Sequence, residues 1–204
     1  AMKDSLNYGV RLTLFVTIPA LVGLMVCAEP LMTLLFMGGK FDYTMAQQSA
    51  QALVYYSVGL SCVALVRVLA PAFYALKDTK TPVVTAFISF VLNLGFSLWL
   101  MGPLKHSGLA LASSLSALGN MLLLFWLLRR KTGLLGGRRM LRTALSAVAA
   151  SLPMGLVAWW MADLINWSLP GQKLLKAAGL SGVVLSALLT YGLFSRLFRS
   201  EEAS

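Results

Sequence analysis

Charge is scarce in this 204-residue chain: Asp, Glu, Lys and Arg together make up 12% of it, against 58% hydrophobic residues. A soluble domain of this length carries about a quarter charged residues, so the composition excludes an ordinary globular surface and points to long apolar segments in a bilayer. Acids are the scarcest: Asp4, Glu29, Asp42, Asp78, Asp163, Glu201 and Glu202 are all there are, and no two are spaced as an intramembrane acid–base couple. There is one histidine, His106, in a stretch beside Gly102-Pro103, so no His/Cys/acid set has metal-ligand spacing. Neither a catalytic residue, nor a metal site, nor a cofactor is expected, and the chain reads as a non-enzyme. Two cysteines, Cys27 and Cys62, fall inside apolar runs, where each packs as a small hydrophobe and no disulfide framework arises. No cleavable leader is legible before Lys3 and Arg11, and the opening Ala1-Met2 reads as a truncation or cloning remnant.

What the chain has is apolar runs of about 20 residues without strict alternation. Lipid cannot satisfy backbone donors and acceptors, so such runs span as helices. Six are expected, at about 12–37, 46–76, 82–102, 107–129, 141–165 and 173–197, making an all-α polytopic bundle. The second is longer than one crossing needs and should tilt, or bend at Pro71.

The net charge of +10 does not imply nucleic acid, because the basic residues lie between apolar segments rather than among aromatics on a polar surface. Their distribution sets orientation instead. With the N-terminus cytoplasmic, the inner side holds Lys3, Arg11, Lys77, Lys80, Arg129, Arg130, Lys131, Arg138, Arg139, Arg142, Arg196 and Arg199, and the outer side only Lys40, Lys105, Lys173 and Lys176. Both termini are therefore expected in the cytoplasm. Trp99, Trp159, Trp160 and Trp167 near outer span ends and Trp126 near an inner end suit interfacial anchoring. The basic, glycine-bearing stretch 132–142 reads as a cytoplasmic linker between residues 1–131 and 143–204, topogenic or binding anionic lipid.

Polar residues inside the spans form two rows. Thr85, Ser89, Asn93 and Ser97 recur every four residues, as do Gly108, Ala112, Ser116 and Asn120, so each row lies on one helix face. The two faces suit either a close helix–helix seam or the wall of a hydrated cavity, with Asn93 the strongest cavity candidate. Two ionisable residues stand away from span ends. Glu29, before Pro30, lies near the outer interface and is either an interfacial carboxylate or a coupling-ion ligand. Arg67 lies about 15 Å along its helix from Lys77, in the inner half. An arginine there suits a phosphate or pyrophosphate in a water-filled cavity; the alternative is a side chain snorkelling to the interface. Asp78, between Lys77 and Lys80, reads as a turn former paired with those neighbours.

Three stretches then carry a family likeness: Met37-Gly38-Gly39-Lys40-Phe41; Ala52-Leu53 with Tyr55 and Gly59-Leu60; and, most specific, Phe73-Tyr74-Ala75-Leu76-Lys77-Asp78-Thr79-Lys80-Thr81-Pro82. Together they resemble the MurJ (MviN) lipid II flippases of the MOP exporter superfamily, over essentially the whole chain. The resemblance implies the C-terminal part of a fourteen-helix inner-membrane transporter, which moves an undecaprenyl-pyrophosphate-linked peptidoglycan precursor outward by alternating access. Residues 1–131 would be the last four helices of the second lobe, and 143–204 two additional helices that help form a lipid-tail groove. Its partners would be that lipid substrate, membrane lipids and the remaining N-terminal helices, with no nucleic acid. Leu145, Val148, Leu152, Leu156, Leu180, Val184 and Leu188 are the candidates for tail contact. The family's cavity arginines lie mainly in helices with no counterpart here, so Arg67, Asn93 and Tyr74 as cavity residues, and Pro71 as hinge, come from the residues themselves. Another MOP exporter, for a polysaccharide-lipid or for drugs, and a non-transporting six-helix scaffold are the alternatives.

Overall fold

The computed structural model describes residues 2–39, 41–133, 137–165, 167 and 173–199. Expectations attached to Lys40, Glu201 and Glu202 lie outside these residues, and those attached to Lys105, His106, Arg196 and Arg199 lie outside the side chains described. Five helical elements follow one another: α1 (Met2–Phe36), α2 (Tyr43–Ala75), α3 (Lys80–Thr132), α4 (Gly137–Asp163) and α5 (Lys173–Arg199). Apolar residues on all sides, rather than one amphipathic stripe, are what a helix in lipid requires. Six stretches of these helices are long and apolar enough to cross a membrane.

The sixth crossing comes from α3, whose 53 residues would extend about 80 Å if straight, more than twice a hydrocarbon core of about 30 Å. It is a hairpin of two limbs, Lys80–Leu104 and Ser107–Thr132. A Cβ on Gly108 would stand 2.3 Å from the Leu100 carbonyl oxygen, so only glycine allows the returning limb to pass there. The break expected at 102–107 is thus a sharp reversal that keeps helical hydrogen bonding around Pro103.

The limbs meet along the two polar rows. Ser89 Oγ donates to the Ser116 carbonyl at 2.9 Å, and Asn93 Nδ2 donates to Ser116 Oγ at 3.0 Å and Ser113 Oγ at 3.3 Å. Ser97 Oγ donates back to Asn93 Oδ1 at 3.3 Å. Small residues bring the backbones close and hydroxyls and the amide join them, as membrane helix contacts favour.

The chain gathers into two compact units. The first comprises Ala1–Thr17 and Tyr55–Ala144, around a core of Leu6, Val10, Leu65, Leu69, Phe73, Leu124, Leu128 and Met140. The second comprises Ile18–Val54 and Leu145–Ser204, around Cys27, Met154, Ala158, Trp167, Leu180, Val183 and Ala187. Most of the stretch 132–142 is taken into helix: α3 ends at Thr132, with the Gly133 N–H on the Arg129 carbonyl at 2.9 Å, and Arg138, Arg139 and Arg142 lie in α4. Both cysteines are buried and free.

Two expectations change in the second unit, those for Trp167 and Leu180. Trp167 is not an interfacial anchor: it is buried, and its indole N–H donates to the Ala162 carbonyl at 2.8 Å. Lys176, counted on the outer side, is 4% exposed, and its ammonium donates to the Trp167 carbonyl at 2.5 Å. Leu180 belongs to the core, whereas Leu145, Val148, Leu152, Leu156, Val184 and Leu188 are exposed.

Candidate functional site

The most specific sequence stretch forms the corner between α2 and α3, within the first unit. Phe73 is wholly buried against Leu69 and Leu128, which fixes the last turn of α2, while Tyr74 one residue on is 51% exposed. The helix closes with paired reverse bonds: Asp78 N–H to the Phe73 carbonyl at 2.9 Å and Lys77 N–H to the Tyr74 carbonyl at 3.0 Å. Such a closure puts its fifth residue in the left-handed region, normally a glycine's position. Here it is Lys77, at φ 58°.

Asp78 then serves the next helix. Its carboxylate accepts from the Thr81 backbone N–H at 3.1 Å and from the Thr81 hydroxyl at 2.5 Å, satisfying a free donor at the start of α3. Pro82, in that first turn, has no N–H to satisfy, and its carbonyl accepts from Thr85 Oγ1 at 3.0 Å. The Asp78 carboxylate also accepts from the ammonium of Lys131, at the far end of α3. The sequence-adjacent lysines are not its partners: Lys77 and Lys80 are exposed, and among the described residues neither makes an ion pair with it. The Lys131 bond first, and the Thr81 bonds after it, hold the Asp78 carboxyl well below the usual carboxylate range.

Lys131 also stands 6.0 Å from the centre of the Phe73 ring, a contact that ties the corner's charge to its apolar anchor. Arg130 stacks at 3.8 Å over Trp126 one turn back. The result is a corner with a fixed backbone, one neutralised acid, and Lys77, Lys80, Arg129 and Arg130 exposed around it. Nothing in local sequence signals the Lys131 bond, since its partners are 53 residues apart.

One turn before the corner, Pro71 lies inside α2 and cannot donate to the Arg67 carbonyl four residues back, so the helix lacks a bond there. Arg67 is exposed on this unit, as are Pro71 and Tyr74. Asn93 is half-buried and engaged in the α3 seam described above. The structure therefore brings together Phe73, Lys77, Asp78, Thr81 and Pro82 and leaves Asn93 in a separate contact.

A second close contact explains the Tyr55–Gly59 spacing. The Ser114 hydroxyl donates to the Tyr55 carbonyl at 2.5 Å and accepts from the Gly59 N–H at 3.1 Å, bridging two groups one helical turn apart. A Cβ on Gly59 would lie 2.6 Å from Ser114 Oγ and 2.9 Å from Ser114 Cα. In the second unit, Gly38 and Phe41 exchange backbone bonds of 3.2 and 3.1 Å to close the turn after α1. Asp42 caps α2 there, accepting from the Met45 N–H at 2.9 Å. Its carboxyl is held low by that bond and by the Thr44 hydroxyl. Glu29, on α1, accepts from the Tyr43 hydroxyl.

Comparison with known proteins bears on the whole of this arrangement. Residues 1–177 match the family described as "Lipid II flippase MurJ". A "Probable lipid II flippase MurJ" of Vibrio cholerae is 35% identical over 195 residues, which cover 91% of this chain and 36% of the relative. The "Lipid II flippase MurJ" of Burkholderia cenocepacia is 35% identical over 191 residues, 92% of this chain and 37% of the relative. The Thermotoga maritima "Probable lipid II flippase MurJ" is 31% identical over 199 residues, 98% of this chain and 38% of the relative. The chain spans just over a third of the length of these curated relatives. With residues 1–177 of its 204 matched by that family, the chain belongs to the MurJ family.

Proposed function

We propose that this chain is the C-terminal portion of a lipid II flippase. It would supply part of a cavity through which an undecaprenyl-pyrophosphate-linked precursor passes from the cytoplasmic to the periplasmic leaflet. The observation that carries this reading is the family match over residues 1–177. Residues 1–131 act as the last four helices of the second lobe, 132–142 as a basic cytoplasmic connection, and 143–204 as two further helices. Both termini face the cytoplasm of a bacterial inner membrane, as the lysine and arginine distribution favours. The chain transports and does not catalyse.

In this reading the exposed side of α2 carrying Arg67 and Tyr74 faces the cavity, where a guanidinium offers paired donors to pyrophosphate. The missing bond at Pro71 supplies a place for α2 to bend during gating, and the Asp78 corner acts as a rigid cytoplasmic pivot. Glu29 is a coupling-ion candidate on its position alone.

The test is a chimera in which this chain replaces the segment it matches in the full-length Vibrio cholerae relative, expressed in cells depleted of their lipid II flippase. The chimera should restore growth, and neither this chain alone nor the relative lacking the segment should. Growth with the chain alone would favour a self-sufficient six-helix protein. Failure of a chimera that inserts normally would count against the flippase reading.

A further inference from the structure

The second unit contains a cavity of about 450 Å³ that the corner and the polar seam do not use. Glu29 on α1, Tyr43 at the start of α2, Trp159 and Asp163 at the end of α4, and Trp167 beyond it all line the space. Two acidic residues line it, and among the described residues no lysine or arginine does. The C-terminal pole of α4, which has no basic residue in its last turn, adds partial negative charge at Asp163.

The hydrogen bonds around the cavity sharpen its character. The Tyr43 hydroxyl is committed to one Glu29 oxygen, and the Trp167 indole N–H to the Ala162 carbonyl, so neither donor is left for an anion. The ammonium of Lys176 donates to the Trp167 carbonyl, and Lys176 is not among the described lining residues. Among the described residues Asp163 makes no hydrogen bond or ion pair, and Glu29 makes none with a cation.

Three ligand classes can be compared on this geometry. An anion meets two carboxylates and no lysine or arginine among the described lining residues. A hard divalent cation needs six or more oxygens at about 2.0–2.6 Å, and the described residues contain no group of three His, Cys, Asp or Glu that could hold a metal. An alkylated ammonium meets carboxylates for its charge and indole and phenol rings for its carbon atoms, the combination by which proteins recognise such cations. We propose that this cavity binds an organic ammonium group, carried either by a zwitterionic lipid headgroup or by a free amine. The inference is independent of the flippase reading.

The experiment uses the whole chain in nanodiscs, with Trp99, Trp126 and Trp160 replaced by phenylalanine so that emission reports Trp159 and Trp167. In discs of phosphatidylglycerol alone, choline is titrated at constant ionic strength beside its uncharged isostere 3,3-dimethylbutanol. In a second arm, discs containing phosphatidylethanolamine are compared with discs lacking it. A saturable response to choline indicates a free-amine site, and a response in the second arm a lipid headgroup. Either response should weaken roughly tenfold in Asp163→Asn and further in Asp163→Asn with Glu29→Gln. Because Asp163 is exposed and unbonded, its variant keeps the fold, which circular dichroism checks. No response in either arm, equal responses to choline and the isostere, or an unchanged response in Asp163→Asn would each overturn the proposal.

Discussion

Ser114 and Gly59 share one set of hydrogen bonds: the serine hydroxyl lies between the Gly59 N–H and the Tyr55 carbonyl, on the rung that normally joins those two groups within α2. The contact demands a residue without a side chain at 59 and a small hydroxyl at 114. Gly59→Ala should destabilise the fold by about 1–3 kcal/mol, because its Cβ would press on the Ser114 backbone as well as its hydroxyl. Ser114→Ala removes only the hydroxyl and should cost about 1 kcal/mol. Thermal unfolding in detergent, read by circular dichroism, would rank the two; equal midpoints would contradict the packing described.

The Asp78 corner makes a pH prediction. A carboxyl held low by its partners stabilises the fold above its unfolded value, about pH 4, and that stabilisation is lost as pH falls through the lower folded value. The gap in thermal midpoint between the native chain and Asp78→Asn should therefore be constant from about pH 5 to 8 and close only in stronger acid. Lys131→Gln should cost less than Asp78→Asn, since Asp78 also serves Thr81. A gap that closes near neutrality would refute this account of the corner.

Lys77 occupies a left-handed position that a glycine fills without steric cost. Lys77→Gly should raise stability by up to about 1 kcal/mol, and Lys77→Val should lower it. A stabilised Lys77→Gly chimera that no longer restores growth would show that the lysine is kept for its charge.

Asn93 joins the two limbs of α3 through Ser113 and Ser116. Asn93→Ala should cost about 0.6–2 kcal/mol. Pairing of cysteines introduced at Ser89 and Ser116 should become slower in that variant; unchanged pairing would mean the seam closes without the amide.

The six crossings and the two polar rows of α3 were legible because each is written in local sequence, in apolar length and four-residue spacing; that the rows meet as a seam was one of two readings, and the role of Gly108 at the reversal was not read. The partner of Asp78 was not. Lys77 and Lys80 are adjacent in sequence, and only the hairpin's return brings Lys131 to the carboxylate. Trp167 misled for a related reason, since an indole beside an apolar run looks interfacial until a backbone carbonyl claims its N–H. Arg67 is exposed on α2 while its neighbours Leu65 and Leu69 enter the core.

Whether the exposed Arg67 serves as a cavity cation is tested most directly in the Vibrio cholerae chimera, by comparing Arg67, Arg67→Lys and Arg67→Ala in flippase-depleted cells at matched membrane abundance. The expected result is full rescue by arginine, partial rescue by lysine and none by alanine, because lysine keeps the charge but not the paired donors. Equal rescue by all three would contradict a substrate role for Arg67 and make it an arginine that snorkels to the interface.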